Sequence, residues 1–164
     1  AAVERQRPAV VGDLLRAVKE EVADDGRALP LDRCHVLRPG SDATLVTWGA
    51  MTKECLEVAE QFAGQGTEVE VIDVAVLTPL DEATVLESVR RTGRCVIVHE
   101  AAYTGGFGAE IAARVAERAL LDLLAPVRRV TGYDTVMPLP RSEHRYMPSA
   151  RRIAAAVTEV MDYR

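Results

Sequence analysis

The sequence predicts an α/β fold, a three-layer α/β/α sandwich on a mainly parallel five-stranded sheet with one antiparallel edge strand. Strand-like and helix-like segments alternate four times, which is typical of parallel sheets with right-handed crossovers. Cys95 to Val98 form an unbroken apolar run, as strands do when helices cover both faces of their sheet. One candidate strand is followed by another strand without a helix between them, which predicts the antiparallel edge.

That edge strand is predicted over residues 31–37 and stops at Pro39-Gly40. The next strand covers residues 43–48, which are rich in β-branched and aromatic side chains, and ends at Gly49. The apolar residues that follow have helical spacing and predict an amphipathic helix. They are Cys55, Val58, Ala59 and Phe62.

Residues 69–74 are the third predicted strand and residues 95–98 the fourth. Asp81 is the predicted N-cap of the helix between them, and Gly93 is its predicted end. A helix over about residues 107–124 comes next. Its buried face is predicted to carry Ile111, Val115 and Ala119.

The fifth strand is predicted from Pro126 to Thr131, and a last helix over residues 149–162 starts after Pro148. The apolar face of this helix holds Ile153, Ala156, Val157 and Val160. Residues 1–30 are assigned to a linker, although Leu14, Leu15, Val18 and Val22 have helical spacing. Residues 31–164 are assigned to one domain.

The amino-acid composition excludes some classes of function for this chain. The chain has 164 residues, 48% of them hydrophobic, and a net charge of −5, so it lacks the basic surface expected of a nucleic-acid-binding protein. No stretch approaches the ~18 apolar residues of a membrane span. Cys34, Cys55 and Cys95 lie on apolar segments without metal-site spacing, which predicts free thiols and a cytoplasmic location.

The most informative segment is the glycine-rich stretch after the fourth strand, from His99 and Glu100 through Tyr103 and Thr104 to Gly105-Gly-Phe-Gly108. Polar side chains at the carboxyl end of a parallel strand are well placed for ligands or partners. Three interpretations are open: an anion cradle, a tight turn with a histidine satisfied by neighbouring backbone, or a subunit interface. The phosphate-binding glycine patterns are absent, and the other motifs favour the interface.

The remaining polar residues predict no catalytic, cofactor-binding or metal site. A solvated helix face is predicted for Glu54, Glu57 and Glu60. His35 lies beside Cys34, but two ligands are too few for a metal site. His144 lies in a polar loop and is expected to be exposed.

Several motifs occur in an order that resembles the carboxyl-terminal domain of transketolase-like, thiamine-diphosphate-dependent enzymes. They are Gly40-Ser-Asp-Ala-Thr-Leu-Val-Thr-Trp-Gly49, Leu77-Thr-Pro-Leu-Asp81, Thr92-Gly-Arg-Cys-Val-Ile-Val-His-Glu100, Thr104-Gly-Gly-Phe-Gly-Ala-Glu-Ile111 and Arg129-Val-Thr-Gly-Tyr-Asp-Thr135. More narrowly, the chain is similar to the end of the beta subunit of the decarboxylating component of 2-oxo acid dehydrogenases.

This resemblance implies an enzyme that decarboxylates pyruvate or a branched-chain 2-oxo acid and transfers the acyl group to a lipoyl group. The whole enzyme would use thiamine diphosphate and magnesium. The chain lacks the Gly-Asp-Gly segment that holds this cofactor in the family, so we expect the isolated chain to bind none and to be inactive.

The implied task of the domain is therefore assembly with a second beta subunit, an alpha subunit and the lipoyl acyltransferase core. The candidate interface residues are His99, Glu100, Tyr103, Thr104, Gly105, Gly106 and Phe107, and the candidates for docking the core are Glu159, Asp162 and Arg164. The alternatives are the equivalent domain of transketolase or deoxyxylulose-phosphate synthase, and a free-standing anion-binding module.

Overall fold

The computed structural model describes residues 32–138 and 140–163. The prediction that residues 1–30 form a linker lies outside these residues. In chain order the elements are β1 (His35–Arg38), β2 (Ala43–Thr47), α1 (Met51–Ala63), β3 (Val69–Asp73), α2 (Glu82–Thr92), β4 (Cys95–Ala102), α3 (Gly108–Ala119), β5 (Arg128–Gly132), α4 (Glu143–Tyr146) and α5 (Ala150–Met161). Short 3₁₀ turns at Leu120–Asp122 and Pro140–Ser142 follow α3 and precede α4.

The five strands form one sheet in the order β1-β3-β2-β4-β5. β1 runs antiparallel to β3 at one edge, and the other three pairings are parallel. The predicted fold class and its antiparallel edge strand are confirmed. The edge strand is shorter than predicted and begins at His35, and part of the predicted segment lies outside the described residues.

Alternation along the strands creates two cores, one on each face of the sheet. Leu45 of β2 packs in the first core, whereas its neighbour Val46 packs in the second, because successive strand residues point to opposite faces. The first core is covered by α1 and α5, and the second by α2 and α3. The apolar faces predicted for α1, α3 and α5 are buried. The helical spacing noted at Leu14, Leu15, Val18 and Val22 lies outside the described residues.

Helix ends also follow from sequence. The Asp81 side chain accepts hydrogen bonds from the backbone N–H and the hydroxyl of Thr84 at 3.3 and 2.6 Å. Gly93 ends α2 with a φ of 69°, a left-handed conformation that glycine adopts at little cost. Ser149 caps α5, while Pro148 precedes this cap.

Several predicted boundaries differ from the structure, including the start of β5, which is predicted at Pro126 but lies at Arg128. β4 continues past Val98 to Ala102 because Ala102 pairs with Gly132 of β5. α3 ends at Ala119, where the chain turns into the short 3₁₀ segment. No helix in the described ranges is long and apolar enough to cross a lipid bilayer.

Candidate functional site

The candidate site lies where β4 and β5 end. These strands are parallel neighbours, so their carboxyl ends meet at the same edge of the sheet. β4 leads into the loop Tyr103–Phe107, which we call the glycine loop, and then into α3. β5 leads into Tyr133 and Asp134. The candidate interface residues predicted from sequence are therefore together in one region.

His99 is the buried centre of this region, with no exposed surface. Its imidazole stacks on the indole of Trp48, with ring centroids 5.1 Å apart and 13° between the planes. Phe107 also contacts the Trp48 ring, edge-on, at a centroid distance of 6.2 Å. The adjacent Glu100 is partly exposed, and consecutive strand residues point to opposite faces.

The glycine loop closes over the imidazole. A Cβ on Gly106 would lie 2.4 Å from the carbonyl oxygen of Ala102 and 2.6 Å from Cε1 of His99. Gly105 is the one loop glycine with a positive φ, at 75°. The loop glycines thus serve different purposes, since Gly105 permits the turn and Gly106 permits close contact with the buried ring.

Neither ring nitrogen of His99 has a hydrogen-bond partner among the described residues. The interpretation in which neighbouring backbone satisfies this histidine stays a prediction, since the Ala101 backbone is the polar group that acts on the ring. Burial lowers the pKa of His99, and the positive charge of Arg129 lowers it further. The Ala101 backbone opposes this pKa shift without reaching good hydrogen-bond geometry. The neutral imidazole is the favoured form.

Contacts with β5 and the segment after it hold the outer part of the glycine loop. The backbone N–H and the hydroxyl of Thr104 donate to the two carboxylate oxygens of Asp134, at 2.8 and 2.7 Å. These bonds lower the pKa of Asp134. Arg129 donates to the carbonyl of Tyr103 at 2.9 Å, and its guanidinium carbon lies 3.7 Å from the centre of the Tyr103 ring. Tyr103 is half exposed.

Three contributors to this site are not among the candidate residues predicted from sequence: Trp48, Arg129 and Asp134. Trp48 is the single tryptophan of the chain and directly follows β2, a strand adjacent to β4. Its position after a parallel strand was an available signal. Arg129 gave no such signal because its role depends on the pairing of β5 with β4.

The side chains here do not match the cofactor set of the resembled enzymes. Among the described residues, no three His, Cys, Asp or Glu side chains are grouped as a metal site requires. The sequence contains neither Gly-Asp-Gly nor any asparagine, although the family motif uses both to hold the metal and diphosphate. These residues therefore do not fit magnesium and thiamine diphosphate.

The docking candidate Glu159 lies near the amino ends of the strands, opposite the end that carries the glycine loop. Glu159 forms an ion pair with Arg128, the first residue of β5, whereas the glycine loop is at the carboxyl ends of the strands. Asp162 is exposed and ends α5, where its backbone N–H donates to the Thr158 carbonyl. Arg164 lies outside the described residues. Glu159 and Asp162 thus form no joint site with the glycine loop.

The chain belongs to the family described as the transketolase C-terminal domain, which matches residues 32–153. It is 46% identical over 154 residues to the mitochondrial 2-oxoisovalerate dehydrogenase subunit beta 2 of Arabidopsis thaliana, covering 92% of this chain and 42% of that protein. It is 37% identical over 150 residues to a pyruvate dehydrogenase E1 component subunit beta of Staphylococcus epidermidis, covering 92% and 46%. The resemblance found in the motifs is confirmed.

A solved structure described as a split gene transketolase, an inactive beta4 tetramer, is also similar. Its TM-score is 0.74 at 30% identity, over 87% of this chain and 45% of that one. A 2-oxoglutarate:ferredoxin oxidoreductase from Magnetococcus marinus shares the fold, with a TM-score of 0.53 at 13% identity. This chain spans less than half the length of the relatives it matches.

Proposed function

We propose that this chain is the assembly domain of the beta subunit of a 2-oxo acid dehydrogenase and has no catalytic activity alone. In the whole complex the enzyme decarboxylates pyruvate or a branched-chain 2-oxo acid and passes the acyl group to a lipoyl acceptor. The observation that carries the proposal is the glycine loop, which Asp134 and Arg129 hold in place. The loop presents the half-exposed Tyr103 ring to solvent.

The glycine loop is our candidate contact with a second beta subunit or an alpha subunit. Tyr103 offers a large amphipathic surface of the kind enriched in interfaces. Val136 and Met137, which follow β5, are also exposed, at 88% and 49%. Apolar side chains beside an ordered loop favour a covered surface in the assembly.

Magnesium and thiamine diphosphate would be bound by other parts of that assembly. The decarboxylation chemistry would take place there, and this domain would hold the subunits together in the correct arrangement. The contact with the lipoyl acyltransferase core is assigned to Glu159, Asp162 and Arg164. Because Arg128 pairs with Glu159, Asp162 is the carboxylate of this set that is free of an ion pair among the described residues. Three free, buried cysteines support a reducing, cytoplasmic location.

The similar split transketolase structure favours one alternative, in which the same domain serves a transketolase. The two proposals share the fold and the assembly role and differ in the substrate of the complete enzyme. A transketolase transfers a two-carbon unit between sugar phosphates, whereas a dehydrogenase of this group acylates a lipoyl group.

Two measurements test the proposal. Calorimetry of the 164-residue chain with thiamine diphosphate and magnesium should give no binding heat. A complete beta subunit containing this sequence, purified with its alpha subunit, should acylate a lipoyl acceptor from a 2-oxo acid. Micromolar cofactor binding by the chain alone would overturn the assembly role, and transfer between sugar phosphates would establish the transketolase alternative.

A further inference from the structure

The imidazole of His99 lies in a closed site between Trp48 and the glycine loop. The side chain has no exposed surface, and neither ring nitrogen has a hydrogen-bond partner among the described residues. Trp48 stacks on the ring. A Cβ on Gly106 would lie 2.6 Å from Cε1 of the ring, and a Cβ on Gly108 would lie 2.4 Å from Nε2. The ring therefore touches the backbone of the loop and of the start of α3, with no room for a water molecule between them.

The positive charges near this site oppose protonation of the ring. Burial lowers the pKa of His99, and the guanidinium of Arg129 on β5 lowers it further. Gly108 is the first residue of α3, and the amino end of a helix carries a partial positive charge. Trp48 does not titrate, and the Tyr103 ring lies over the guanidinium of Arg129, so neither supplies a negative charge.

The carboxylates around the site are directed elsewhere. Glu100 follows His99 in β4 and so points to the opposite face of the sheet. Glu110, in the first turn of α3, accepts a hydrogen bond from Arg114 at 2.8 Å. Asp134 accepts two hydrogen bonds from the outer part of the glycine loop. None of these three carboxylates shifts the pKa of His99, so a charged imidazole has no counter-ion among the described residues.

We propose that protonation of His99 opens the glycine loop while the rest of the domain stays folded. An imidazolium has two N–H donors, and burying them without acceptors costs free energy that contact with water removes. The loop is the part of the site that can move, because Tyr103, Thr104 and Gly105 are exposed. The sheet beneath the ring is held by the parallel pairing of β2 with β4. A loop with few buried contacts opens at a lower free energy than the domain unfolds.

Acid favours the open loop because the pKa of His99 differs between the two forms. In the open loop His99 meets water and its pKa is near the ordinary value of about 6.5, whereas in the closed loop its pKa is lowered. The open form therefore gains up to about tenfold in population for each pH unit below about 6.5, until the pH reaches the lowered pKa. Asp134 stays ionised in this range, because its hydrogen bonds with Thr104 lower its pKa, and it keeps the outer part of the loop attached.

Opening of the loop is a property of this chain alone and does not depend on the loop being a subunit interface. Amide hydrogen exchange of the full 164-residue chain, followed by NMR, measures it. The reporter is the backbone N–H of Ile111, which donates to the carbonyl of Phe107 at 3.2 Å. The internal control is the N–H of Ile153, which donates to the Ser149 carbonyl at 3.0 Å in the matching turn of α5.

The response to urea distinguishes local opening from unfolding of the domain. Local opening exposes little surface, so exchange by this route should not change with small additions of urea, whereas exchange through global unfolding accelerates. We expect the Ile111 amide to exchange by the urea-independent route at each pH. Its opening constant should exceed the unfolding constant that urea denaturation of the same chain gives.

Lower pH should increase the local opening at Ile111 and leave that at Ile153 unchanged. Between pH 7 and about 5.5 the opening constant of Ile111, corrected for the slower base-catalysed chemistry, should rise by up to about tenfold per pH unit. His99→Phe should abolish this rise. His144→Asn is the matched control, since His144 is exposed, and it should keep the rise.

An opening constant of Ile111 that is independent of pH would overturn the proposal, and so would a rise that persists in His99→Phe. Exchange of Ile111 that accelerates with urea as the unfolding transition does would overturn a local opening, because the whole domain would then unfold. An equal rise at Ile153 by the urea-independent route would contradict a specific action on the loop. If His99→Phe does not fold, His99→Gln removes the titrating group instead, and a persisting rise there would contradict the role of His99.

Discussion

The imidazole of His99 occupies the space that a side chain on Gly108 would need, since a Cβ on Gly108 would lie 2.4 Å from Nε2 of His99. Gly108 is the first residue of α3, and His99 lies in β4. The helix can start this close to the strand only because both Gly106 and Gly108 lack side chains. The glycine loop is therefore part of the packing around His99 as well as a surface turn.

Gly106→Ala is expected to lower the free energy of unfolding by about 1–3 kcal/mol, the usual cost of overpacking. The new methyl group would meet the backbone oxygen of Ala102, which cannot move aside cheaply. Urea unfolding measures the change. Gly64→Ala is the control, because its added Cβ would have no neighbour closer than 3.5 Å and its φ of −60° suits alanine. Equal stability of Gly106→Ala and wild type would contradict the packing role.

His99 is expected to make the fold sensitive to mild acid. The pKa of His99 is lowered in the folded chain, so the unfolded chain binds a proton that the folded chain resists. The free energy of unfolding should therefore fall as the pH drops below about 6.5, the ordinary histidine value, with a slope approaching about 1.4 kcal/mol per pH unit. The fall continues until the pH reaches the folded pKa.

His99→Phe should remove this dependence between pH 7 and the folded pKa, because the imidazole whose pKa is lowered by folding is gone. His144→Asn is the control, since His144 is exposed, and it should keep the wild-type slope. Urea unfolding across the pH series measures all three proteins. Parallel curves for wild type and His99→Phe would show that His99 does not resist protonation.

Asp81→Ala is expected to cost about 1–2 kcal/mol, typical of a lost N-cap. The Asp81 carboxylate also accepts the backbone N–H of Cys34 at 3.0 Å, so the change loosens the chain before β1 as well as the start of α2. Asp81→Asn keeps a capping oxygen and should lose much less. Thermal and urea unfolding compare the variants, and equal losses would mean that capping is not the source of the effect.

Tyr103→Ser is expected to weaken subunit association and leave the domain's melting temperature nearly unchanged. Tyr103 is half exposed and takes part in no hydrophobic core, so its ring contributes more to a partner than to the fold. Analytical ultracentrifugation of the complete beta subunit with its alpha subunit measures association. Tyr163→Ser is the control, because Tyr163 has a similar exposure of 53% and lies beside Arg128, at the amino end of β5 and away from the glycine loop. The same loss of association in both variants would contradict a specific role of the glycine loop.

Local patterns in the sequence were enough to predict the order of strands and helices and the buried faces. The spacing of Ile153, Val157 and Val160 placed one face of α5 in the core, because a helix turns by a constant angle for each residue. Asp81 and Gly93 set the ends of α2 through interactions within a few residues. The grouping of the candidate interface residues also followed from local order, since one strand and its loop carry them all.

Tertiary structure alone decided which residues surround His99 and what each glycine does. Trp48 reaches His99 because β2 and β4 are neighbours in the sheet, and Arg129 reaches Tyr103 because β5 pairs with β4. The same pairing extends β4 four residues beyond its apolar run. Gly106 has no positive φ, and the reason that this position needs a glycine is its close packing against His99. Glu54 and Met147 meet in one pocket although they are distant in the chain. Such contacts depend on strand order and helix packing, which hydrophobic periodicity does not encode residue by residue.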